Sequence, residues 1–143
     1  MTTEQTLSEH VKLYIAEHRV GRLATADEKG HPHVIPVCYA FDGKIVYSCV
    51  DEKPKTKPPN SLERVRNIRR NPHVALVIDE YSEDWSSLNY VVISGEANVM
   101  LQCAEHMKAL RLLREKYPQY EAMRLEDKPV LKITPRKVTA WHS

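Results

Sequence analysis

The sequence predicts a mainly β domain of the α+β class, in which six antiparallel strands form a barrel with helices on its outside. Six short apolar runs have the length and composition of strands, and two of them flank Asp42-Gly43, a strong tight-turn signal. Only three segments repeat apolar residues at helical spacing, which is too few to cover a parallel sheet. No long polar linker interrupts the 143 residues, so residues 1–143 are predicted to form a single domain.

The first half of the chain begins with a helix and continues with three strands. Apolar residues at helical spacing predict an amphipathic helix over 6–17. Strands are predicted over 20–26, 33–41 and 44–50. Because Asp42-Gly43 separates the last two, they are predicted to pair as an antiparallel hairpin.

The second half alternates helices and strands after a lysine- and proline-rich segment. Asn60 or Ser61 is predicted to cap a helix that stops at Asn71-Pro72. Gly95 is predicted to form a bulge where a later strand bends. The remaining predicted elements are strands over 73–81 and 89–100, a helix over 102–117 ended by Pro118, and a last strand over 130–141.

Composition and charge exclude several classes of function. No apolar run approaches the roughly 20 residues of a membrane-spanning helix, and the N-terminus lacks a secretory signal, so a cytoplasmic protein without membrane association is predicted. A net charge of +2 is too small to indicate nucleic acid as a partner. Cys38, Cys49 and Cys103 form no CxxC pair and are predicted to be structural thiols. The histidines, His33 and His106 among them, lack metal-ligand spacing, so they are predicted to face solvent or to cap helices, with no metal site.

The segment between the third strand and the second helix has the features of an anion site. Lys53, Lys55 and Lys57 precede a helix N-terminus, whose free N–H groups and dipole favour a phosphate. Arg64 can add charge from the helix, and the Ser48 hydroxyl can add a donor from the strand end. The alternative is that this segment is only a solvated connection.

Four short motifs, in fixed order, resemble the pyridoxamine 5'-phosphate oxidase-like flavin and deazaflavin oxidoreductases. They are similar above all to the subgroup described as probable F420-dependent enzymes, and the resemblance covers roughly residues 19–100. The motifs are DxKPK at Asp51 to Lys55, LxRxxNI at Leu62 to Ile68, NPxV at Asn71 to Val74 and EDW at Glu83 to Trp85.

The resemblance implies an FMN-binding type of split β-barrel that forms a homodimer, with the cofactor at the subunit interface. Lys53 and Lys55 then match the main phosphate ligands, Ser48 lies beside them, and Lys57 and Arg64 are further candidates. On this basis the partners are a second copy of the chain and a small-molecule substrate.

The same resemblance implies contacts with the cofactor ring. Pro36, Val37 and Tyr39 match positions that lie along the isoalloxazine or its deaza analogue, and Trp85 matches an aromatic that contacts the cofactor near the interface. Pro36 and Val37 can alternatively be core or edge-strand residues. Trp85 can alternatively be a surface anchor.

The implied function is a flavin- or deazaflavin-dependent oxidoreductase that transfers hydride between the cofactor and a small organic substrate. FMN is the first choice and F420 the alternative. Arg66, Arg69 and Arg70 are candidates for the charged tail of F420, and the alternative, which is slightly favoured, is that they form a solvated helix face. No catalytic residue is named, because the cofactor carries the chemistry. A non-catalytic flavin or haem carrier is the alternative of another class.

Overall fold

One seven-stranded antiparallel sheet forms the frame of the protein in a computed structural model that describes residues 7–51 and 62–143. The strand order is β2-β1-β5-β6-β7-β4-β3, and every neighbouring pair is antiparallel. In chain order the elements are α1 (Glu9–Glu17), β1 (Gly21–Ala26), β2 (Pro32–Val37), β3 (Ala40–Phe41), β4 (Val46–Cys49), α2 (Glu63–Arg70), β5 (His73–Glu80), β6 (Asn89–Met100), α3 (Ala104–Lys116) and β7 (Val130–His142), with short 3-10 helices at Trp85–Ser87 and Pro118–Tyr120.

The prediction of six strands is wrong by one, because the predicted strand over 33–41 is two strands. The chain leaves the ladder at Cys38 and Tyr39, where the Tyr39 N–H donates to the Tyr117 hydroxyl rather than to a strand. β3 forms the predicted hairpin with β4, whereas β2 pairs with β1 at the opposite edge of the sheet. The two halves of one apolar run therefore form strands at opposite edges of the sheet.

The helices keep their predicted positions with shorter ends. Ser8 caps α1, its hydroxyl accepting from the Val11 N–H at 3.2 Å. The N-cap position of α2 is Leu62, without a side-chain cap, and the predicted caps Asn60 and Ser61 lie outside the described residues. α3 ends before Pro118, as predicted. No described helix is both long and apolar enough to cross a membrane.

The two faces of the sheet pack against different apolar clusters. On the inner face, buried residues of β1, β5, β6 and β7 form the main core, with Leu23, Leu76 and Ile93 fully buried. On the outer face, α3 covers only the end of the sheet made of β3, β4 and the start of β7, burying Tyr47 and Leu110. Each fully buried large apolar side chain contributes about 1.5–3 kcal/mol. The rest of the outer face lacks a covering helix among the described elements.

Gly95 lies at the predicted bulge, where the register between β6 and β7 shifts between Ser94 and Gly95. A Cβ at position 95 would overlap the backbone carbonyl oxygen of Thr134. We therefore expect Gly95→Ala to lower the free energy of unfolding by about 3 kcal/mol, since the clash is with main chain that cannot rotate away. Gly43→Asn is the control, because position 43 is open and asparagine tolerates a positive φ, here 98°, better than most residues, so only modest backbone strain is expected. Urea unfolding with similar midpoints for both variants would contradict this.

Lys116 joins the ends of α1 and α3 in a half-buried position. Its Nζ donates to the His18 carbonyl at 2.5 Å and lies 4.1 Å from the centre of the Tyr39 ring. Burial, with the nearby Arg19 charge, lowers the pKa of Lys116 to about 8.

Because the unfolded chain keeps the ordinary lysine pKa, it binds more protons than the folded chain between about pH 8 and 10.5. The Lys116 contribution to stability therefore rises with pH across this window. We expect wild type to gain stability relative to Lys116→Met between pH 8 and 10, measured by urea unfolding at several pH values. A difference in unfolding free energy between wild type and Lys116→Met that does not change with pH would contradict the half-buried position of this ammonium.

Candidate functional site

The described residues fix both ends of the predicted anion site. β4 ends at Cys49 and is followed by the buried Asp51, and α2 begins at Glu63. Lys53, Lys55 and Lys57 lie between them, outside the described residues. Their roles therefore stay predictions, while the surroundings of Ser48 and Arg64 are visible.

α2 is held against β1 by its buried face. Val65 and Ile68 pack into the main core, which orients the helix. The buried Asn67 side chain donates from Nδ2 to the Thr25 Oγ1 at 3.0 Å. Such a hydrogen bond between buried polar groups is costly to break, because each group would be left desolvated without a partner. The first turn of α2 is thereby fixed relative to the sheet.

Arg64 extends from that first turn toward the end of β4. It interacts with the charge of Asp51 and lies near Cys49 and Tyr120. Burial lowers its pKa, and Asp51 opposes that effect. Its buried Nε has no hydrogen-bond partner among the described residues. A buried guanidinium N–H without a partner is costly, and a phosphate oxygen would satisfy it. Arg64 therefore fits an anion at this end of the sheet.

His33 is a neighbour of this site that sequence reasoning misread as solvent-facing or capping. Its side chain is half-buried, with Nε2 3.7 Å from the Glu63 Oε2 at the start of α2. The buried Nδ1 has no partner among the described residues. His106 is likewise buried, with Nε2 2.7 Å from the Lys128 carbonyl. Strand alternation on β2 was the signal for His33, because odd positions there face inward.

Ser48 and Tyr39 lie in the core rather than at an open surface. Ser48 is 2% exposed, and its hydroxyl donates to the Cys38 carbonyl at 2.8 Å. Tyr39 is fully buried, and its hydroxyl donates to the Ile15 carbonyl at 2.6 Å. Both hydroxyl protons, which could otherwise be donated to a ligand, are donated to backbone carbonyls of the chain itself. In this structure the Ser48 hydroxyl ties β4 to the segment before β3, the Tyr39 hydroxyl ties that segment to α1, and neither residue has free side-chain surface for a cofactor.

The three remaining candidates differ in exposure: Pro36 and Trp85 lie at the surface, and Val37 lies in the core. Pro36 is exposed on β2 directly across from Arg22 of β1. Val37 is buried in the main core. Trp85 is 68% exposed on a 3-10 helix whose N-cap, Asp84, accepts from the Ser86 N–H. Pro36 and Trp85 are thus available to a ligand or a partner, and the Val37 side chain is not.

We call one part of the outer sheet surface the open face, namely the part that α3 leaves uncovered. It is apolar at its centre, where Val77 of β5 pairs with Val92 of β6. Polar and aromatic pairs border it: Arg22 Nη1 lies 2.8 Å from the Asp79 Oδ1, and Tyr90 stacks on Trp141 at 5.4 Å. Strand alternation and the ladder register place the following residues there: Arg22, Ala24, Val34, Pro36, Ala75, Val77, Asp79, Tyr90, Val92, Ser94, Lys137, Thr139 and Trp141.

Several solved structures share this fold at low sequence identity. The haem storage protein HutZ from Vibrio cholerae is 14% identical, with a TM-score of 0.72 over 96% of this chain and 95% of that one. An FAD-binding protein from Mesorhizobium loti is 24% identical, with a TM-score of 0.68 over 94% and 92% of the two chains. An F420 reductase is 18% identical, with a TM-score of 0.66 over 93% and 98%. At these identities the comparison shows the fold alone.

The sequence itself identifies the family. No curated protein matches the chain significantly in sequence. The family model for pyridoxamine 5'-phosphate oxidase, in contrast, matches residues 7–142, from the start of the described chain to the end of β7. With the mainly antiparallel α+β architecture, this match shows that the chain belongs to the pyridoxamine 5'-phosphate oxidase family.

Proposed function

We propose that the protein is an FMN-dependent oxidoreductase that transfers hydride between the bound cofactor and a small organic substrate, acting as a cytoplasmic homodimer. Family membership supports a flavin or a related cofactor. The observation that carries the proposal is the buried Arg64 Nε without a partner, located where the lysine-rich segment meets α2. This is the chemistry that the phosphate of FMN needs.

The phosphate site combines charge from the segment and from the helix. Lys53 and Lys55 are the main ligands in this proposal, and Lys57 is a further one. Arg64 supplies an N–H from the first turn of α2, whose dipole also favours an anion. Ser48 acts indirectly, because its hydroxyl ties β4 to the Cys38 carbonyl next to the segment.

The cofactor, when bound, supplies the hydride chemistry, so the protein has to bind it, orient it and exclude water. Pro36 provides a rigid apolar surface at the edge of the open face, and the exposed Trp85 provides an aromatic one. The roles of Val37 and Tyr39 in this proposal are to hold the strand from the core side.

The homodimer is proposed to form through the open face. Val34 is 60% exposed there, and Val77 and Val92 form an apolar centre that the described part of the chain leaves without a covering helix. Apolar patches of this kind mark interaction sites. A second copy would bury this surface and enclose a cofactor that lies against Pro36, which explains why the site would need both subunits.

F420 is the alternative cofactor, and its charged tail would need further basic groups. Arg66, Arg69 and Arg70 are exposed on α2. Arg70 is already 3.2 Å from the Glu28 carboxylate, and a surface ion pair of this kind is easily exchanged. The shared fold of an F420 reductase keeps this alternative open. The shared fold of a haem storage protein does the same for a non-catalytic carrier.

Turnover separates an enzyme from a carrier. FMN-loaded protein is mixed anaerobically with NADH or NADPH, and the visible absorbance of oxidised flavin is followed. An enzyme that accepts electrons from a nicotinamide bleaches the bound flavin faster than free FMN is bleached. Unchanged absorbance with either nicotinamide, and with F420-loaded protein as well, would contradict the oxidoreductase proposal and favour a carrier.

Arg64→Met tests the phosphate site at a residue whose surroundings the structure describes. The substitution removes the charge that faces the buried Asp51, so the apo-protein is expected to have a lower melting temperature, and FMN binding is compared at a temperature where the protein is fully folded. FMN affinity is expected to fall about 10-fold, since a charge-assisted hydrogen bond contributes about 1.5–3 kcal/mol. Titration by flavin fluorescence, with Arg66→Met as the control on the same helix, checks both. Equal affinities for the two variants would remove Arg64 from the site.

A further inference from the structure

Cys38 and Cys49 lie near each other just beyond the β3–β4 ladder, close enough for their charges to interact. The ladder pairs Phe41 with Val46 and Ala40 with Tyr47, and continuing this register two residues past its last pair would bring Cys38 opposite Cys49. The hydrogen bond from the Ser48 hydroxyl to the Cys38 carbonyl holds the two backbones together at this point. Both side chains pack into the outer apolar cluster beneath α3.

Such a pairing would bring the two side chains close to the geometry of a disulfide. Directly opposed residues on neighbouring strands have Cβ atoms about 4.5–5.5 Å apart. A disulfide needs about 3.5–4.5 Å. Cys38 belongs to neither β2 nor β3, so a small shift of this residue would break no ladder hydrogen bond. Both cysteines are free thiols in the structure.

The two thiols differ in their surroundings. Cys38 is half-exposed and accessible from solvent. Cys49 is buried and hydrogen-bonded to the Tyr120 hydroxyl, and burial raises its pKa to about 11. An oxidant from solvent would therefore meet Cys38 first.

We propose that Cys38 and Cys49 form a peroxide-sensitive dithiol that closes to an intramolecular disulfide. The Cys38 thiolate attacks one oxygen of hydrogen peroxide, the O–O bond breaks, and the departing hydroxide takes a proton to become water, leaving a sulfenic acid. The Cys49 sulfur then attacks the Cys38 sulfur, the S–O bond breaks, and the hydroxide leaves as water with the Cys49 proton. Two thiols are oxidised and one peroxide is reduced to two waters.

This role replaces the purely structural one predicted for Cys38 and Cys49. Cys38 follows Val37 and Cys49 follows Ser48, so the bond would link two segments that border the candidate site. The exposed Cys103 lies apart from them at the N-cap of α3 and serves as the internal comparison.

The test uses the full chain with Cys103→Ser, which leaves only the proposed pair. The protein is treated with hydrogen peroxide, denatured, alkylated and mapped by mass spectrometry. We expect two alkylatable thiols before treatment and none after it, a mass lower by two hydrogen atoms, and one peptide pair joined through Cys38 and Cys49. Thiol reductant should restore both sites.

Cys38→Ser on the Cys103→Ser background is the matched control. Its Cys49 is buried, so it should stay alkylatable in most chains after the same treatment. The proposal is overturned if both thiols of the Cys103→Ser protein persist, if Cys38 goes on to sulfinic acid without a link, or if the link joins two chains. None of these readouts depends on a cofactor, so the result stands apart from the proposed oxidoreductase function.

Discussion

Replacing Lys53 and Lys55 together with alanine is expected to weaken FMN binding about 100-fold or more. Each lysine is proposed to donate a charge-assisted hydrogen bond to the phosphate, and such bonds contribute about 1.5–3 kcal/mol each. Both residues are removed at once because either one alone can be compensated by Lys57. The dissociation constant is measured by quenching of flavin fluorescence on titration with protein.

Lys44→Ala is the control for this double variant. Lys44 is an exposed lysine in the tight turn between β3 and β4, so its loss changes the net charge without touching the proposed site. Raising the salt concentration should weaken FMN binding to wild type more than to the double variant, because fewer phosphate contacts remain. Equal FMN affinity in wild type and the double variant would show that the phosphate is not held by these lysines.

Val92→Asp is expected to convert the proposed homodimer to a monomer. Val92 lies at the apolar centre of the open face beside Val77, where a carboxylate buried without a partner costs about 3–5 kcal/mol. The dimer dissociation constant should therefore rise about 100-fold or more. Sedimentation equilibrium measures it directly. FMN affinity should fall in parallel, because the cofactor is proposed to lie between the subunits.

Met107→Asp tests whether dissociation requires a charge on the open face or follows from a new charge anywhere on the surface. Met107 is exposed on α3 and lies outside the open face, so the same new charge should leave the oligomeric state unchanged. If wild type itself sediments as a monomer, the open face serves another purpose and the proposed dimer is wrong. If both variants dissociate, the interface extends over α3.

Local patterns in the sequence were sufficient to predict most of the frame. The Asp42-Gly43 turn, the bulge at Gly95 and the end of α3 at Pro118 each depend on a backbone property of one or two residues, and all are confirmed. The break at Cys38 and Tyr39 was not predictable in this way. It depends on the Tyr117 hydroxyl, which comes from 78 residues along the chain and bonds the Tyr39 backbone.

The burial and hydrogen-bond partners of the candidate site residues were likewise not predictable from local sequence patterns. Residue type and spacing pointed to Arg64, and the unpartnered Nε supports its assignment. The same reasoning pointed to Ser48, and the family resemblance pointed to Tyr39, but both hydroxyls donate to carbonyl groups of the chain itself. Hydroxyl groups suit both ligands and internal carbonyls, so only burial distinguishes the two. Strand alternation places His33 on the inward side of β2, but its neighbour Glu63 at the start of α2 becomes apparent only in the structure.

The most direct measurement is an absorbance and fluorescence titration of the purified apo-protein with FMN and, separately, with F420. We expect micromolar binding of FMN at one molecule per subunit, weaker binding of F420, and loss of FMN binding in the protein lacking Lys53 and Lys55. Tight binding of F420 with none of FMN would keep the site and change the cofactor. Binding of neither, in protein that is folded and dimeric, would contradict the assignment of this site to a flavin or deazaflavin.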